Sequence, residues 1–183
     1  NGEIFLEKLK ALTKKDFSAI GSEIRKFRNG FESEMQEMGK EALDIIDTST
    51  LNQKDFYQGA RGIYGYFKAL AAGNFSKLKP NIYTLTTIEE DKWLSRSADD
   101  TAALEMEGIK PVLYSAWEKI SLYLEKYFQR YTLLGLIYKN LYPVAVLNEI
   151  KKQMDEIKSL RNQVHISEFN RRISNIVLNE PVP

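Results

Sequence analysis

From Ile20 to Ile45 the apolar residues Ile20, Ile24, Phe27, Phe31, Met35, Met38, Ala42 and Ile45 recur at steps of three and four. At about 100° per residue, such steps lay a single stripe down a helix and give a strand no consistent buried face. Similar spacing returns as far as Ile176, and no segment alternates strictly between apolar and polar residues. The chain is therefore expected to be all-α. The expected form is a single domain over residues 1–183, a bundle of about six to seven helices including two long ones. Tyr83-Thr84-Leu85 is the one candidate for a short strand.

The punctuation marks the expected elements. A short helix over residues 2–13 precedes a break around Thr13–Ser18, and a long helix then runs to about Ile46. Asn52, with Asp55 behind it, is expected to cap a helix carrying Phe56, Ala60, Ile63, Phe67 and Leu70, which stops near Gly73-Asn74. Residues 74–86 contain Pro80 and read as irregular. Thr86 with Glu89 reads as a capping box for a surface helix over 87–107 that Gly108 ends. Pro111 opens a long helix over 111–141, and Tyr142-Pro143 breaks it. A further helix carries Leu147, Ile150, Met154, Ile157, Leu160 and Val164, and a last one starts at Ser167.

Composition excludes more than it assigns. With 26 basic and 25 acidic residues among 183, no global field draws the chain to nucleic acid or membrane. The charge is unevenly spread: residues 31–109 carry eight basic and fourteen acidic groups, residues 110–172 eleven and six. Attraction between helices accounts for that, and a partner-binding face is the sharper alternative. The absence of cysteine removes disulfides, thiolate nucleophiles and cysteine metal sites. No apolar run reaches the roughly 18 residues of a membrane span. A chain beginning at Asn1 reads as a processed or trimmed product, so a soluble protein of either the cytoplasm or an exported compartment is compatible with it.

Three features carry the functional reading. First, Tyr123, Tyr127, Tyr131, Tyr138 and, if the helix holds there, Tyr142 fall within roughly 100° of one helix face, beside Leu134 and Leu141. They are expected to face inward, as an aromatic core with its hydroxyls at the rim or as a groove for an apolar or aromatic ligand. Second, Leu133, Leu134, Leu136, Ile137 and Leu141 make residues 133–141 apolar nearly all round. The helix from 143 is expected to fold back over one side, leaving part of the Leu133, Leu136 and Ile137 side for a partner. Third, Gly59, Gly62 and Gly65 recur every three residues, as a close contact between two helices would require.

Catalytic constellations are scarce. With His165 as the lone histidine, two-histidine metal sites are impossible. The acids Glu89-Glu90-Asp91 and Asp99-Asp100 point in different directions on a helix and read as solvated faces. Leu160-Arg161-Asn162-Gln163-Val164-His165 resembles the Arg-Asn…His motif of the HEPN helical ribonucleases, over six residues and with a shorter gap between arginine and histidine than the family has. That resemblance implies a dimeric helical bundle cleaving RNA without a metal, with Arg161 and His165 serving the cleavage. The expected function is a non-enzymatic helical module that binds a protein partner or itself, with no cofactor. A ribonuclease using Arg161 and His165, and a small-ligand carrier using the tyrosine face, are the alternatives.

Overall fold

In the computed structural model of the chain, the described residues are Lys8, Leu9, 11–161, Phe169, Asn170, Ile173, Ser174 and Val177. Among them lie four α-helices: α1 (Lys14–Asp47), α2 (Ile63–Ala71), α3 (Ile82–Glu89) and α4 (Asp100–Leu160). The only extended pairing among them is an isolated antiparallel bridge between Phe56 and Leu94. The chain is all-α. The expected helices over 2–13 and from Ser167 lie largely outside the described residues.

Two compact units divide the chain, one of Ser22–Ile137 and one of Asn1–Gly21 with Tyr138–Pro183. In the first, the core is one cluster. Phe31, Met35, Ala42 and Ile46 of α1 meet Ile63, Phe67 and Leu70 of α2 and Met106, Leu113 and Ile120 of α4. The stripe read from Ile20 to Ile45 is the buried face of α1 from Ile24 onward, whereas Ile20 is exposed at 37%. A backbone approach unseen in the sequence brings α1 and α2 together. A Cβ on Gly39 would lie 2.6 Å from the Ala71 nitrogen and 2.7 Å from the Leu70 Cβ, so only glycine fits.

The expected helix from Asn52 does not form until Ile63. Asn52 and Asp55 instead make local turns, with the Asn52 N–H donating to Asp55 and the Lys54 N–H to Asn52. The Tyr57 N–H donates to the Trp93 carbonyl and the Ser95 N–H to that of Asp55, which draws Phe56 fully into the core. The glycine series therefore lines no helix–helix contact. A Cβ on Gly62 would sit 2.0 Å from the Tyr57 oxygen, and one on Gly65 would sit 1.8 Å from the Ala60 oxygen. The glycines let the turn fold onto its own following helix. That helix ends at Ala71, and Gly73 just beyond it turns the chain with a φ of +70°.

The expected irregular stretch and surface helix also shift. Asn81, not Thr86, caps α3, its side chain accepting from the Thr84 N–H at 3.0 Å. Residues 91–99 are largely irregular, and Asp99 caps α4 by accepting from the Ala102 N–H at 2.8 Å. Helix α4 then runs through Gly108, Pro111 and Pro143 without a break. Proline keeps a φ that suits a helix, and its cost is one lost hydrogen bond and a steric contact.

The second unit explains how the helix survives Pro143. Leu141, Val144, Ala145 and Asn148 are half-buried on one side of α4. A Cβ on Gly21 of α1 would come within 3.2 Å of Leu141. Asn148 Nδ2 and Lys152 Nζ donate to the Leu12 carbonyl at 3.1 and 2.7 Å, and Lys14 pairs with Glu149 at 3.4 Å. Contacts on both sides of the proline hold the register. Thr13 and Asp16 cap the start of α1 reciprocally: Thr13 N–H and Oγ1 donate to Asp16, and the Asp16 N–H donates back.

Candidate functional site

Within the unit Ser22–Ile137, α1 and α4 meet through aromatic rings. Phe31 stacks on Tyr131 at 4.4 Å and on Tyr123 at 5.5 Å, and Phe27 meets Tyr127 edge-on at 6.4 Å. Tyr123, Tyr127 and Tyr131 are half-buried, as the helix face requires. Above them opens a groove of about 560 Å³ lined by Ile24, Phe27, Gly30, Phe31, Tyr123, Tyr127 and Leu134. Glu23, Lys26, Glu34 and Arg130 form its rim. Arg130 lies 4.4 Å from the centroid of Phe27 and Lys126 lies 4.9 Å from that of Tyr127, so the chain's own cations already sit on two of these rings.

One hydroxyl of this face is bound into a closed set. Arg28 Nη2 donates to the Tyr131 oxygen at 3.1 Å, and Tyr131 donates to Glu32 Oε1 at 2.6 Å. Arg28 also reaches Glu32 at 3.3 Å, while its guanidinium lies 4.8 Å from the Tyr131 ring centroid. Burial first, then the hydrogen bond to Glu32, holds the Tyr131 phenol above its ordinary range. The arginine is held high by the same tyrosine bond. Arg28 Nε is buried without an acceptor. The set locks α1 to α4.

The other expected site residues separate. Tyr138 and Tyr142 belong to the second unit and are exposed, Tyr142 at 78%. The half-buried side there centres on Leu141 and Val144, and Tyr142 stands about 100° round from Leu141. The five-tyrosine inward face therefore reduces to three. Leu133, Leu136 and Ile137 are exposed at 57%, 55% and 40%, whereas Leu134 turns inward to the groove. The expected hairpin over this turn is absent because α4 continues past Pro143. Arg161 is exposed just beyond α4, and His165 lies outside the described residues.

The acids expected as solvated faces are all exposed, and Glu90, Asp91 and Asp99 also have local partners. Asp91 accepts from Lys110 and from Trp93 Nε1, and the lysine contact is the main cause that holds its carboxyl below the ordinary range. Glu90 pairs with Lys92. Among the described residues no three acids or histidines gather as a metal site would need. No described helix is long and apolar enough to cross a membrane. No protein-family model, curated protein or solved structure matches this chain.

Proposed function

We propose that this chain is a non-enzymatic helical interaction module that associates through apolar side chains of α4. The observation supporting it is the exposure of Leu133 and Leu136, each more than half open on a turn of a well-packed helix. Leaving such side chains wet costs about 25 cal/mol per Å² of apolar surface, which association recovers. The candidate binding residues are Leu133, Leu136 and Ile137. The partner is a protein surface or the chain itself, and no cofactor is involved.

Leu136→Asp tests this reading. A carboxylate on an open face stays hydrated, so the melt should shift by no more than about 0.5 kcal/mol. Association read by sedimentation should be lost. Unfolding of the variant would mean that a charge had been buried, and the reading would fail.

The groove favours a second reading, a small apolar or aromatic ligand held over Phe31, Tyr123 and Tyr127. Gly30 opens onto it with nothing within 4 Å of a Cβ. An anilinonaphthalene sulfonate probe should bind there, and Gly30→Leu should expel it. Equal dye binding by the variant would remove this reading.

A further inference from the structure

In the second unit one apolar stripe of α4 lies away from the contacts made by that helix among the described residues. On the other side of the same turns, Asn148 and Lys152 donate to the Leu12 carbonyl and Glu149 pairs with Lys14. That inner side carries Leu141, Val144 and Ala145 before these polar anchors. Opposite it, Leu147, Ile150, Met154 and Ile157 are all exposed, at 47% or more. With Pro143 before them they follow one another at steps of four, three, four and three, the a/d repeat of a coiled coil. Phe169, Ile173 and Val177 do not bury themselves against this stripe either, being exposed themselves.

We propose that this seam takes the same seam of a second copy of the chain, parallel and in register. The inference rests on the interaction-module reading and names its partner. An a/d seam is complementary to another of the same repeat, and charge decides the direction. With Leu147 and Met154 at a and Ile150 and Ile157 at d, the flanking e positions are Lys151 and Lys158 and the g positions Val146 and Gln153. In a parallel pair Val146 faces the other copy's Lys151, and Gln153 faces its Lys158, so no like charges meet. The apolar stem of Lys151 then lies along the seam. An antiparallel pair matching Leu147 with Ile157 instead sets Lys151 of one copy against Lys151 of the other.

Sedimentation of the full chain over a concentration series tests the proposal. The wild type should reach the mass of two or more chains. Ile150→Asp combined with Met154→Asp should return it to the mass of one chain, with an unchanged melt at dilution. Direction is read separately, because the chain has no cysteine and an introduced thiol is unique. In a parallel seam the thiols of Ile157→Cys lie side by side, and mild oxidation should link two such chains. An antiparallel seam would instead link Leu147→Cys only to Ile157→Cys. A wild-type mass of one chain at every concentration overturns the proposal. So does assembly that survives the double substitution, or linkage confined to the mixed pair. Failure here is distinguishable from failure of the interaction-module reading, which the melt of Leu136→Asp decides whatever the wild-type mass.

Discussion

Phe31 of α1 and Tyr131 of α4 stack at 4.4 Å and 25°, and the Tyr131 hydroxyl is shared between Arg28 and Glu32 four residues apart on α1. One side chain thus supplies both apolar area and a polar lock between two helices. Tyr131→Phe keeps the ring and removes the lock. It should lower the unfolding free energy by about 1 kcal/mol, because Arg28 and Glu32 keep only their own pairing. Urea unfolding measures this, and an unchanged midpoint would mean that the hydroxyl is idle.

Glycine substitutions should split by position. Gly39→Ala drives a Cβ into the α2 backbone and should cost about 1–3 kcal/mol. Gly108→Ala meets nothing within 4 Å and should stabilise α4 by about 0.5–1 kcal/mol. Thermal melts of the two variants should move in opposite directions.

Pro143→Ala should restore a helical hydrogen bond within α4 and raise stability by up to about 3 kcal/mol. A loss of helical circular dichroism in this variant would indicate that the proline fits something other than the continuous helix.

Alkaline pH should loosen the aromatic interface. Burial raises the phenols of Tyr66, Tyr123 and Tyr131 above their ordinary value of 10. A phenol raised in the folded state ionises first in the unfolded one. Its contribution is complete below pH about 10 and is lost as pH rises beyond it. Tyrosinate absorbance should show part of the ten tyrosines ionising late, together with unfolding. Ionisation of all ten at the ordinary value would contradict the burial of these three.

The helical class and the buried stripe of α1 were legible because spacing at three and four is a local property of the chain. The start of α2 was not. Phe56 is claimed by Leu94, 38 positions away, and no local pattern carries that pairing. Gly59, Gly62 and Gly65 imitate a helix-contact series while serving a turn, and the contact that does need glycine is at Gly39. At the candidate site, the apolar character of 133–141 was legible from helical spacing. The Arg28–Tyr131–Glu32 set was not, since its members lie 103 and 99 positions apart. Pro143 misled because proline marks a lost hydrogen bond, and neighbouring contacts decide whether the helix survives it.

The openness of the α4 face at Leu133 is the claim on which the account turns, and a thiol there measures it directly. The chain has no cysteine, so Leu133→Cys carries a single reactive group. In dilute solution under native conditions its alkylation should match the rate of the same variant in denaturant. The rate should fall only when a partner or further copies are added. Strong protection of the isolated, dilute chain would contradict the account, because Leu133 would then be part of the chain's own core.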